Sequence, residues 1–204
     1  MRFKSLLVLF IGLLATKAMA DMQQRSALVI GNSAYHQEDL VLDNPAKDAT
    51  DLAKVLRRLG FEVVKKTNLS QREMKTAITQ FSNKLRDNKG VGLFYFSGHG
   101  IQHKGVNYML PVDVESLKET WQLPYETVPA GYILDSMEAA ENKINIIILD
   151  ACRNLPEALK KRAKGDMMQG LSMEMPIPGS VIAYAAAPGG VASVGCVPRT
   201  DAKV

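Results

Sequence analysis

The sequence predicts a three-layer α/β fold, a mostly parallel sheet flanked by helices. Three observations carry this. Short runs of Val, Ile, Leu and Phe alternate with segments whose apolar residues recur at helical spacing. Helix start and stop signals separate the two kinds of segment. Two polar segments, Ser97-Gly98-His99-Gly100 and Asp150-Ala151-Cys152-Arg153-Asn154, each come directly after a strand-like run. In open α/β sheets the carboxyl ends of the strands are where ligands bind.

Arg25 to Ile30 reads as a strand that ends at the turn signal Gly31-Asn32. Asp43-Asn44-Pro45 opens a helix, because Asp and Asn cap and Pro is tolerated in the first turn. From Ala46 to Leu59 the residues Ala49, Leu52, Val55, Leu56 and Leu59 recur at helical spacing, and Gly60 stops the run. Phe61 to Val64 is the next strand. Ser70 and Glu73 form a capping box ahead of an amphipathic helix through Ala77, Ile78, Phe81 and Leu85.

Asn88-Lys89-Gly90 turns into the strand Val91 to Phe96, which ends at Ser97. Gly100 to Gly105 reads as a loop, followed by a short hairpin around Tyr108 to Asp113. Val128 to Asn142 is a helix with Ile133, Leu134, Met137 and Ala140 on one face. Ile144 to Leu149 is a strand ending at Asp150. Residues 153–179, rich in Pro, Gly, Met and basic side chains, read as a loop. Ser180 to Tyr184 is the last strand and Pro188-Gly189-Gly190 ends it. Right-handed crossovers between parallel strands put His99 and Cys152 on one rim of the sheet.

Residues 1–20 stand apart. Arg2 and Lys4 precede an apolar run from Leu6 to Ala15, and Ala18-Met19-Ala20 offers a small-x-small cleavage pattern before Asp21. This is the layout of a signal peptide, so the expectation is an exported protein, periplasmic or secreted. The run is too short to span a bilayer comfortably, so no stable membrane span is expected after its removal. Three of the 25 basic residues (Arg2, Lys4, Lys17) lie in this segment, and the remainder is nearly balanced by 21 acidic residues. The charge therefore points to no nucleic-acid partner. The residues beyond the signal suit one domain with its own core.

Cys152 and Cys196 could form a disulfide in an oxidising compartment. A chain of this size needs no staple, and Cys152 stands directly after a buried strand and an Asp. A thiol there is better explained as a nucleophile, which needs a base to ionise it; His99 between two glycines is the candidate. His36 and His103 lack such surroundings and read as surface residues. His99 and His103 have the i, i+4 spacing of zinc ligands, but Gly100 argues against a helix and no further ligands complete a shell, so no metal is expected. Phosphate-binding loops, dinucleotide fingerprints and serine nucleophile elbows are all missing.

The sequence resembles the caspase-like clan of cysteine peptidases (peptidase family C14), and within it the bacterial metacaspase-like catalytic domain. Asp150-Ala151-Cys152-Arg153-Asn154 is similar to the family's cysteine segment, and His99 precedes Cys152 by about 50 residues, the caspase spacing. Ser97-Gly98-His99-Gly100, Asn44-Pro45-Ala46-Lys47-Asp48-Ala49 and the stretch from Ala183-Tyr184 to Pro188-Gly189 also look like that family. The likeness covers residues 25–193.

The resemblance implies a cysteine endopeptidase with Cys152 as nucleophile and His99 as general base and acid. The backbone N–H groups of Gly100 and Cys152 would form the oxyanion hole. Caspases that cleave after Asp carry a neutral Gln two positions before the cysteine, where this chain has Asp150. In metacaspases the residues matching Asp48, Ser97 and Asp150 line a pocket for Arg or Lys, so protein or peptide substrates cut after a basic residue are expected. The basic run 160–164 lies where relatives are processed, though a solvated loop explains it as well. No cofactor is implied. Calcium activation, known in relatives, finds no acidic cluster here. Residues 194–204 depart from the family's pattern, so a truncated end lacking the final strand is expected. A catalytically impaired remnant or a non-enzymatic interaction module is the alternative reading.

Overall fold

The computed structural model describes residues 24–152 and 179–184. The predicted signal peptide, most of the 153–179 loop with its basic run, Pro188 to Gly190, Cys196 and the tail lie outside the described residues.

The strands are β1 (Arg25–Gly31), β2 (Glu62–Thr67), β3 (Val91–His103), β4 (Val106–Met109), β5 (Val128–Pro129), β6 (Ile144–Cys152) and β7 (Ser180–Tyr184). The helices are α1 (Pro45–Arg58), α2 (Gln71–Asn88), α3 (Leu123–Glu126) and α4 (Ala130–Ala139). The order β2-β1-β3-β6-β7 forms a sheet in which all pairings are parallel. The expected α/β architecture is therefore present.

Both faces are covered. Leu28, Ile30, Phe94, Phe96, Ile147 and Leu149 pack with α2 and α4 residues such as Met74, Ile78, Phe81, Ile133 and Met137. The alternate positions Ala27, Val29, Leu93 and Tyr95 face α1 through Ala49 and Leu56. Each fully buried Leu, Ile or Phe contributes about 1.5–3 kcal/mol relative to exposure, so the two layers dominate the stability. The Ser70–Glu73 capping box forms at the start of α2, with Ser70 accepting from the Glu73 amide and Glu73 from the Ser70 amide.

Four details differ from the sequence reading. Val55 and Leu59 are exposed, and Ala53 is buried in their place. The reason lies at Gly31, where an added Cβ would stand 2.2 Å from the Pro45 carbonyl oxygen and 2.8 Å from the Ala49 Cβ. The helix lies so close to β1 that small side chains fill the gap and the wider apolar face stays in solvent. The strand expected at Phe61 to Val64 runs from Glu62 to Thr67. Gly100 to Gly105 is not a loop, since β3 continues through His103 and residues 100–103 pair antiparallel with β4. The chain reverses at Lys104-Gly105, both with positive φ, rather than beyond Tyr108. Finally, Val128-Pro129 pairs with β4 and the helix begins only at Ala130.

This β3–β4–β5 extension rises from the carboxyl rim of the main sheet. It closes a second core of Tyr35, Leu40, Leu42, Ile101, Tyr108, Leu110 and Leu117. The segment between β1 and α1 is thereby folded over β3 at His99.

Candidate active site

His99 and Cys152 are register partners at the point where the parallel pairing of β3 with β6 ends. Neighbouring strands lie about 4.8 Å apart, so the two backbones run side by side at that point. Ser97 and Asp150 are partners two residues earlier. One rim thus collects His99, Cys152, Ser97 and Asp150, and the close packing of α1 on β1 brings Asp48 in its first turn to the same end.

His99 is buried at 3% exposure, and the 33–42 segment holds it from both sides. Its Nε2 lies 2.8 Å from the Leu40 carbonyl oxygen. A carbonyl can only accept, so Nε2 carries the hydrogen and Nδ1 keeps the lone pair. Nδ1 is buried and finds no hydrogen-bond partner among the described residues. The His99 amide donates to the Tyr35 hydroxyl at 2.8 Å, and the two rings are 4.8 Å apart. Gly98 makes this possible: at φ 157° a Cβ there would stand 2.8 Å from that hydroxyl.

Burial pulls the imidazole down from 6.5 to about 4, against the opposing pull of the Leu40 carbonyl and the Asp39 charge. The ring is therefore neutral near pH 7, with Nδ1 as its unprotonated nitrogen. Burial also raises the Tyr35 hydroxyl, so it stays protonated.

Backbone amides complete this end of the rim. Asn32 N–H donates to the Ser97 carbonyl and Leu110 N–H to the His99 carbonyl. Polar backbone groups alternate sides along a strand, so Gly100 turns its amide towards β6.

A second group of polar side chains lies one step inward. The Tyr95 hydroxyl donates to Asp150 Oδ2 at 3.0 Å. Ser97, 3% exposed, hydrogen-bonds the same hydroxyl. Burial first, and then the Asp150 charge, raise the Asp48 carboxyl. The same two causes raise Tyr95. Two carboxylates thus share a half-buried corner, an arrangement that favours a cationic guest. Among the described residues no group of three His, Cys, Asp or Glu side chains is arranged to hold a metal ion. His99 and His103 sit on one extended strand, and His36 pairs on the surface with Glu115.

Sequence reading missed Leu40, Tyr35 and Tyr95. Leu40 acts through its carbonyl, which any residue could supply. Tyr95 sits inside an apolar run and carries no motif signal of its own.

An α/β domain with a histidine and a cysteine as register partners on adjacent parallel strands has the framework of a cysteine peptidase. A family model described as the caspase domain, Peptidase_C14, matches residues 24–196, and the chain belongs to that family. It is 36% identical over 135 residues to human (Homo sapiens) mucosa-associated lymphoid tissue lymphoma translocation protein 1, covering 64% of this chain and 15% of that protein. Caspase a of Danio rerio is 26% identical over 136 residues, covering 65% of this chain and 34% of the other. Caspase-12 of Mus musculus is 29% identical over 134 residues, 63% of this chain and 30% of the other. The chain thus spans about a third or less of the length of these relatives.

Proposed function

We propose that the protein is an exported cysteine endopeptidase that uses a Cys152–His99 dyad and cleaves after Arg or Lys. The observation that carries this reading is His99. A buried imidazole with Nε2 tied to a backbone carbonyl and an Nδ1 without a partner among the described residues is a general base held in one tautomer, and its register partner is a cysteine. Export is supported by the pattern of residues 1–20 alone.

In this mechanism Nδ1 takes the proton of the Cys152 thiol, and the thiolate attacks the scissile carbonyl carbon. The negative oxygen that forms is held by the amides of Gly100 and Cys152. As the carbon–nitrogen bond breaks, the imidazolium gives its proton to the leaving amine. Water, deprotonated by the same nitrogen, then releases the acyl group and restores the thiol. Leu40 stabilises the transient imidazolium through its carbonyl, so no third side chain is needed. The Asp48–Asp150 corner supports selection of a basic side chain, because a guanidinium or ammonium there relieves the repulsion that raises Asp48.

A positional scan of fluorogenic peptides tests this. Turnover after Arg or Lys, abolished by Cys152→Ala and by His99→Ala, is the expected result. Faster cleavage of an Asp-ended peptide overturns the specificity. Hydrolysis that survives Cys152→Ala overturns the dyad.

A further inference from the structure

We propose that Tyr95 is a positioning residue for specificity: its hydroxyl fixes the Asp150 carboxylate so that the site prefers a guanidinium to an ammonium. This rests on the basic-residue specificity proposed above and extends it to a residue outside the carboxylate corner.

The geometry is that of a rigid post. The Tyr95 ring is buried in the layer formed by Ala27, Val29, Leu93 and α1, which fixes where its oxygen stands. That oxygen has one proton to give, and Asp150 Oδ2, 3.0 Å away, can only accept it. Ser97 therefore acts on the phenol as a donor, the role that pulls the Tyr95 hydroxyl down against burial. The Tyr95 proton is thus committed to Asp150, and Ser97 acts on the phenol oxygen rather than on its proton. Ser97 and Asp150 are register partners, so the strands themselves set the span that the phenol bridges.

A fixed carboxylate plane matters to one guest more than the other. Arginine presents a flat fork that needs both oxygens at set positions, whereas lysine presents a point charge that tracks a moving carboxylate. Each carboxylate oxygen accepts more than one hydrogen bond, so the bond from Tyr95 leaves room for the fork. Phenylalanine at 95 would keep the ring packing and free Asp150 to rotate.

The test measures KM and kcat on matched peptides ending in Arg or Lys for wild type, Tyr95→Phe, Asp150→Asn and the double variant. Tyr95→Phe is expected to raise KM about tenfold for Arg and about twofold for Lys, with kcat nearly unchanged. In the Asp150→Asn background it should add nothing, because its route of action is gone. Ser97→Ala should lower the Arg/Lys ratio in the same direction, which keeps the idea testable should Tyr95→Phe fold poorly. Calorimetric binding of the two peptides to Cys152→Ala forms of the chain reads the same ratio without turnover. A wild type that favours Arg, with a ratio unchanged by either substitution, overturns the role of Tyr95 and leaves the acidic pocket standing. A wild type with no preference for basic residues overturns both.

Discussion

Replacing Tyr35 with Phe removes one oxygen from the support of His99 and leaves the ring packed at a tilt against the imidazole. That oxygen takes part in two hydrogen bonds, one from the His99 amide at 2.8 Å and one to the Leu110 carbonyl at 3.3 Å. The second loss is cheap, because Leu110 still accepts from the Asn32 side chain at 3.1 Å. The first leaves a buried amide with no partner, which costs about 1–3 kcal/mol. Tyr35→Phe is therefore expected to destabilise the fold by about 2 kcal/mol, seen as a urea midpoint lowered by about 1 M with an unchanged slope. Release of the His99 backbone should also lower kcat about tenfold while KM holds, since a slack base affects chemistry more than binding. A destabilisation below about 0.5 kcal/mol, the range of ordinary surface changes, would refute the assignment of that amide to Tyr35.

Two other perturbations have defined outcomes. The His99 imidazole is held below its unfolded value, so between pH 6.5 and about 4 the unfolded chain binds the extra proton. The stability it contributes is complete above pH 6.5 and falls by about 3 kcal/mol as the pH drops towards 4. Urea melts of wild type and His99→Gln at pH 7 and pH 4 check this, and their difference cancels the opposite effect of Asp48, whose raised carboxyl favours the fold at low pH; equal pH dependence in the two proteins would contradict it. At Gly31, alanine would drive its Cβ into the Pro45 carbonyl and the Ala49 side chain, costing about 1–3 kcal/mol. Because the start of α1 must move away, Gly31→Ala should also blunt the preference for Arg and Lys, measured on the same peptide pairs as wild type.

The parts of the fold that could be read from sequence were those where one physical rule acts alone. Buried parallel strands declare themselves as unbroken apolar runs, so Val91 to Phe96 and Ile144 to Leu149 were clear, and with them the rim that bears His99 and Cys152. The capping box at Ser70 and Glu73 is a local exchange of hydrogen bonds and needed no tertiary context. Legibility failed where two rules compete. Gly100 to Gly105 reads as a loop because glycine weakens a strand, yet pairing with β4 outweighs that cost and carries β3 through to His103. Val55 and Leu59 keep perfect helical period, but periodicity reveals which face is apolar, not how closely the sheet approaches it. Leu40 was invisible for a deeper reason: its contribution is a carbonyl oxygen delivered by the path of the chain, and a side-chain alphabet does not encode it.

The low basicity of His99 looks at first like an objection to its use as a base, because a catalytic group works best with a pKa near the working pH. The objection treats the imidazole as though it titrates alone. Desolvation penalises a charged ring, and among the described residues the Leu40 carbonyl and the Asp39 charge oppose it only in part. In the proposed reaction the proton comes from a thiol, and each transfer that charges the ring also creates an anion beside it. An anion at that range restores what burial removes, so the two groups titrate as a pair and the value for an isolated ring does not govern the transfer. The same burial keeps the resting imidazole uncharged, and in the proposed reaction it makes the imidazolium depend on the thiolate for its existence. Basicity then appears only when the nucleophile forms, with Leu40 holding the ring in the single orientation that can use it.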